Sequence, residues 1–308
     1  MISRNQANSI NRTRDQGVRS ENYYKSTKWW RWFKNGASKY TELSMMDGSL
    51  MAVQAMTLIS FILQTLPYKF SPLAVSSAAL RLAQSLGLHR SLPYPRLSNS
   101  EYEIRKNVFW IAFTVERQLL AAAGQPSIVH EDDIGIDLPQ NGEGGPAAGH
   151  LRRMAQIGLI QGKIHSCLYS AKSLTKSRLE RLQNAGLLDQ ELEYFKDQIP
   201  TGLRPGMPVD TTSPVETLFM PTLIMHLNYY NSLIMIHRAV CQDDAGRPSW
   251  ADAEKRALYG SCDLNPRVFQ SAAICLDSAR RMINLVRSNS FSFELSDLNM
   301  LRFVCTRL

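Results

Sequence analysis

His130-Glu131-Asp132-Asp133 sets an imidazole and three carboxylates on consecutive residues. In a loop, such a run offers oxygen ligands to a hard cation, or a proton donor beside acceptors. It lacks the spaced ligands of a calcium loop and the H-E-x-x-H step that puts two histidines on one helix face. We read it as a solvated acidic loop or an anchor for a neighbouring arginine. His226 and His237 lie eleven residues apart, about three helical turns. They share a face but stand too far apart along the axis for one ion, and read as core or boundary histidines.

Other chemistry is equally thin. Ser85 precedes Gly87, but G-x-S-x-G is absent throughout, so no nucleophile elbow is argued. Gly142-Glu143-Gly144-Gly145 has neither a preceding strand nor a lysine, which argues against a phosphate loop. The five cysteines, Cys167, Cys241, Cys262, Cys275 and Cys305, contain no C-x2-C pair and read as reduced, mostly buried thiols. No catalytic, cofactor-binding or metal-ligating residue is assigned, and the chain reads as a non-enzyme.

The arginines carry more meaning. Arg81, Arg90, Arg105 and Arg117 lie on or beside two central helical patterns, close to apolar faces. A buried guanidinium needs a carboxylate or several carbonyls to offset its desolvation. The reading pairs Arg81 or Arg117 with Asp132 or Asp133, tying the acidic loop to the helical core; Glu116 is a further carboxylate within reach.

The elements that must position these residues read as helices. Leu50, Val53, Met56, Ile59 and Leu63 recur at three- and four-residue steps before Leu66-Pro67. Ser71-Pro72 opens a second helix, serine capping and proline first, and Gly87 supplies its left-handed end. Ser98-Asn99-Ser100-Glu101 and Ser100-Glu101-Tyr102-Glu103 both fit a capping box for a third. Along it Ile104, Val108, Ile111, Val115 and Leu119 form the expected apolar stripe, flanked by Phe109, Trp110 and Phe113.

Between helices, Leu92–Pro95 reads as a rigid connector, 127–137 as extended or looped, and Asn141–Gly149 as a flexible surface loop. Helical pattern resumes over 151–183, Leu187–Ile199, 215–241, 267–288 and 293–306, with loop-rich stretches at Pro200–Pro214 and 243–265. The apolar segments Leu50–Leu66 and Leu218–Val240 are too short or too polar for a bilayer. No membrane association is expected.

Charge is uneven. Nine of the 35 Lys and Arg residues but only Asp15 and Glu21 of the 27 acids fall within 1–40, so that segment holds +7 of the formal net charge of +8. Its first twenty residues read as a disordered polar tail. Tyr23, Tyr24, Trp29, Trp30, Trp32 and Phe33 then lie among basic residues. Such a mixture stacks on bases, lies on a membrane surface, or docks as an amphipathic helix on its own domain; docking is the preferred reading.

Five segments in order resemble a known family. They are Ser49–Gln64, Ser77–Arg90 (ending Leu86-Gly87-Leu88-His89-Arg90), Glu103–Trp110, Gly124–Pro139 (with Gly124-Gln125-Pro126 and Asp132-Asp133-Ile134), and Asn231–Arg238. Together they resemble the regulatory (middle homology) domain of fungal binuclear zinc-cluster transcription factors, best over 41–240. Departures are Glu116-Arg117 where the family has Asp-Arg, Gln125 inside its Gly-Arg-Pro, and Ala239 where proline follows the late His-Arg. The family's zinc cluster, C-x2-C-x6-C twice over, has no counterpart, since no cysteine precedes Cys167. Whether it lies upstream of Met1 or is missing from the protein stays open, and any zinc would belong to it.

The resemblance implies an all-α fold: a single large domain of packed, mostly antiparallel helices over 41–308 behind a flexible basic segment, 1–40. It implies a nuclear regulator of RNA polymerase II transcription in a fungus, this chain being the regulatory, effector-responsive domain. DNA would be reached through the absent cluster, or weakly through 1–40. Implied partners are the transcription machinery or co-regulators, a second copy or a related chain in a dimer, and a small-molecule effector. The alternative is a cluster-less partner that modulates an intact factor by heterodimerisation.

Overall fold

The computed structural model describes Lys39 and residues 47–65, 71–91, 97–140, 149–207, 216–241 and 266–288. Among these residues there is no β-strand, and the fold is all-α. The segment 1–40 apart from Lys39, the Leu92–Pro95 connector, residues 141–148, the stretch 243–265 and the helix expected over 293–306 lie outside the described residues.

Helix boundaries follow local chemistry. In α1 (Leu50–Thr65), Ser49 Oγ accepts from Ala52 N at 3.2 Å. In α2 (Pro72–Ser85), Ser71 caps and proline takes the first position. That helix ends in a Schellman motif: Leu88 N donates to Ala83 O at 3.0 Å and Gly87 N to Gln84 O at 2.9 Å. Gly87 has φ 71°, a backbone region costly to any side chain with a Cβ.

Of the two capping boxes, Ser98–Glu101 forms, opening α3 (Asn99–Ala123). Glu103 instead binds Lys106 at 2.6 Å. The apolar stripe of α3 differs from the expected one. Val108, Val115 and Leu119 are buried, but Ile104 and Ile111 are nearly half exposed. The helix turns its aromatic flank inward, so Phe109, Trp110 and Phe113 are its largest fully buried residues. Their rings meet edge-on or stacked, 5.3–6.1 Å apart, contacts that add to area burial.

The next helix, α4 (His150–Ile164), runs into a π turn over His165–Tyr169, where Ser170 N reaches back to His165 O. Ser170 then caps the single-turn α5 (Ala171–Leu174), and a Ser177–Glu180 capping box opens α6 (Arg178–Asp197). The break in the 151–199 pattern thus falls at 170–177, not at Gly186, which sits inside α6. Next come α7 (Glu216–Cys241) and α8 (Pro266–Ser288). These two are antiparallel: Cys241 Sγ contacts Val268 O while Cys275 Sγ contacts Ile234 O.

Two halves share one helix. The first half packs α1, α2 and α3, with Val53, Leu80, Ala83, Val108, Phe109, Trp110 and Phe113 at its centre. The second packs α6, α7 and α8 around Leu188, Leu192, Phe195, Met225 and Ile236. Helix α4 serves both, giving Leu151, Ala155 and Leu159 to the first core and Met154, Ile157, Ile160 and Ile164 to the second. Among the described residues no helix is long and apolar enough to cross a membrane.

Candidate functional site

The loop following α3 is pinned along its whole length. Glu116, fully buried, accepts from Ser127 Oγ at 3.1 Å and Ile128 N at 3.4 Å. Arg117 donates to Val129 O at 2.8 Å and to Glu131 Oε1 at 2.9 Å. Gly135 N donates to His89 O, Trp110 Nε1 to Asp137 O, and Arg152 Nη1 to Pro139 O. A stretch whose regular structure is limited to one short turn is thereby held by hydrogen bonds to α3, α4 and the end of α2.

The anchor differs from the expected one. Arg117 does hold the acidic loop, but through Glu131 instead of Asp132 or Asp133. His130 caps a short 3-10 turn over Glu131–Asp133 by accepting from Asp132 N. The turn sends Glu131 inward and leaves the Asp132 side chain 90% exposed. Arg81 bonds Gln84 on its own exposed helix face. Arg105 reaches Leu86 O at the end of α2, and Arg90 Nε meets His89 Nε2 at 3.2 Å.

Electrostatics around Arg117 are tight. Its guanidinium also lies 4.8 Å from the centre of the Phe113 ring. Burial lowers its proton affinity, opposed by Glu131 and Glu116. Burial pushes the Glu116 carboxyl up, opposed by Arg117 and by its two hydrogen bonds. His165, in the π turn, is held below the ordinary histidine value by burial and by the Arg117 charge. One cation thus serves two carboxylates in a largely dry place.

Backbone shape admits this cluster. A Cβ on Gly162 would stand 1.7 Å from Glu131 Oε1 and 2.4 Å from Arg117 Nη1. One on Gly158 would meet Phe113 Cε1 at 3.1 Å. The two glycines of α4 form the notch into which Phe113 and Arg117 fit. The G-x-x-x-G spacing of 158 and 162 was visible in the sequence, but its partner helix was not.

Residues of the Leu-Gly-Leu-His-Arg segment are structural by the same accounting. Gly87 ends α2, Leu88 enters the core, the His89 carbonyl holds Gly135, and its ring lies 6.5 Å from Phe109. His226 is buried and bonds Leu203 O through Nε2 at 2.9 Å. His237 bridges Asp189 on α6, 3.3 Å from Nε2, and Ser271 on α8, 3.2 Å from Nδ1. That Asp–His–Ser order is known from hydrolases, yet Ser271 is buried in the second turn of α8. The trio fastens three helices.

Behind the pinned loop lies a cavity of about 330 Å³. Its walls come from both halves: Trp110, Ile134, Ile136 and Leu138 on one side, Tyr194 and Phe195 of α6 on the other, with Leu159 and Ile160 of α4 between. At the mouth Lys163 binds Glu191 at 2.6 Å and Gln156 binds Gln198 at 3.3 Å. The sequence pointed to Trp110 as a helix flank and to Ile134 as part of a family segment; their convergence with α4 and α6 residues from four segments was not legible in it.

Among the described residues no group of three His, Cys, Asp or Glu side chains could hold a metal ion. The described cysteines, Cys167, Cys241 and Cys275, therefore do not fit a zinc cluster.

Comparison with known proteins places this geometry. The profile of the fungal specific transcription factor domain matches residues 2–197. The segment Asn231–Arg238 lies beyond that match. The chain is 33% identical over 271 residues to an ABC-transporter-regulating transcription factor of Aspergillus fumigatus, covering 84% of this chain and 30% of that protein. The corresponding protein of Aspergillus oryzae is 32% identical over the same shares. A Fusaridione A cluster transcription factor of Fusarium heterosporum is 27% identical, over 68% of this chain and 40% of its own length. The chain thus spans about a third of the length of the first two relatives. No solved structure matches it. The family match covers more than half of these residues, and the chain belongs to the fungal specific transcription factor domain family.

Proposed function

We propose that this chain is the regulatory part of a nuclear regulator of RNA polymerase II transcription in a fungus. DNA contact falls to a zinc cluster outside these residues, with the basic segment 1–40 as a secondary, non-specific contact. The names of two relatives make genes for ABC transporters the target class of this reading.

One observation supports a regulatory role beyond the family match: two separately cored halves share α4 and face each other across a cavity walled by the loop that Arg117 pins. Such a body can hold two arrangements of its halves. A ligand or partner that prefers one arrangement shifts the population toward it. The domain would thereby restrain or release the activity of the factor that carries it.

The test is a reporter assay in a fungal host. Residues 1–308 are fused to a heterologous DNA-binding domain, and reporter output is compared with that domain alone. A change in output, altered again by Arg117→Ala at equal protein level, is expected. Output indistinguishable from the bare DNA-binding domain sinks the reading.

A further inference from the structure

The cavity behind the pinned loop has features that select a ligand. Its volume of about 330 Å³ lies at the lower end of the range for small-molecule sites. Trp110, Ile134, Ile136, Leu138, Leu159 and Phe195 make its walls apolar and aromatic. The indole of Trp110 is fixed by its bond to Asp137 O, and the Ile160 wall by the second core. Much of the site is thus formed before anything enters.

Charge narrows the class. Two carboxylates line the cavity, Glu131 and Glu191, and each already has a cation, Arg117 and Lys163. Among the described lining residues each charge is already engaged in an ion pair, so an ionic guest would have to displace a partner. The amides of Gln156 and Gln198 at the mouth offer neutral donors and acceptors.

We infer that this cavity binds a neutral, mostly apolar ring compound with one or two hydrogen-bonding groups at its outer end. Deepening the regulatory reading above, it names the site at which that domain is addressed. Since the walls belong to both halves, a bound molecule bridges the loop on the first core and α6 on the second. It favours the arrangement in which these surfaces face each other.

The probe is N-phenyl-1-naphthylamine, a neutral aromatic dye whose emission rises in apolar surroundings, titrated into the full chain. Saturable binding of one dye per chain is expected. Leu159→Trp and Ile134→Trp, which fill the cavity from the α4 wall and the loop wall, should each weaken it at least tenfold. Ile111→Trp, on the outer side of α3, should not. Circular dichroism and melting establish that each variant is folded. If the bulky variants do not fold, Tyr194→Ala decides instead: this exposed wall residue should weaken binding at least threefold. Absence of saturable binding, or equal binding in folded cavity variants, overturns the site. Tighter binding of the anionic 1-anilinonaphthalene-8-sulfonate overturns the ligand class. None of these readouts involves transcription, so a failed reporter assay and a failed dye titration are separate results.

Discussion

Arg117 Nη2 stands 2.9 Å from Glu131 Oε1 over Gly162, a backbone position with no room for a side chain. The loop, α3 and α4 are thereby joined at one point. A methyl group at Gly162 occupies the place of the carboxylate and forces the pair apart. Leaving a buried charge without its partner costs about 3–5 kcal/mol. Gly162→Ala should therefore lower the urea midpoint of unfolding strongly. Gly186 has nothing within 4 Å of an added Cβ, and alanine there should stabilise by about 0.5–1 kcal/mol. Equal effects at the two glycines would falsify the notch.

The loop's acids should separate in the same assay. Arg117→Ala and Glu131→Gln should each destabilise by several kcal/mol, since each leaves a charge or an acceptor buried and unmatched. Asp132→Ala, at a side chain 90% exposed, should stay within about 0.5 kcal/mol. Replacing both partners, Arg117→Met with Glu131→Leu, should cost less than Arg117→Ala alone, because Glu131 is no longer stranded and only Glu116 loses its cation. A large loss at Asp132 would return the anchor to the residue the sequence had suggested.

Helix starts and stops were legible because a cap is a local event. Ser71-Pro72, Ser98–Glu101 and Gly87 act through their own neighbours. Which face of α3 goes inward was not. Isoleucines 104 and 111 fit a helical stripe as well as Phe109 and Phe113 do, and the outcome depends on what α4 and the loop present. Likewise the sequence indicated that an arginine holds the acidic loop. It could not choose Glu131, because that depends on the 3-10 turn capped by His130. The cavity was hidden for the same reason: Trp110, Ile134, Gln156 and Phe195 are neighbours only after folding.

His237 joins α6 to α8 through Asp189 and Ser271. Ser271→Ala removes one hydrogen bond near a buried ring nitrogen, worth about 1 kcal/mol. His237→Ala removes both bonds and leaves a gap between three helices, so its cost should exceed the serine change. A double-mutant cycle on His237 and Ser271 should give a coupling energy of about 0.5–1.5 kcal/mol. Zero coupling would show that the two side chains do not act together. Hydrolysis of an activated ester such as p-nitrophenyl acetate that is lost in Ser271→Ala would show instead that the hydroxyl is reactive.

His150 carries the clearest pH signal. It opens α4, where the positive end of the helix dipole disfavours a protonated ring. Burial lowers it to about 4 from the usual 6.5, and the Arg153 charge adds to the effect. A depressed histidine keeps the native state neutral while the unfolded chain takes up a proton. Its contribution is therefore complete above pH 6.5 and is lost as pH falls toward 4, in total roughly 3 kcal/mol. His89 and His226 are lowered by burial too and act in the same direction. Unfolding free energies measured in urea at pH 7.5 and pH 4.5 should differ by less in His150→Gln than in the parent chain. The residual slope belongs to the other histidines and the carboxylates. An unchanged slope would mean that His150 takes up its proton in the folded chain as readily as in the unfolded one.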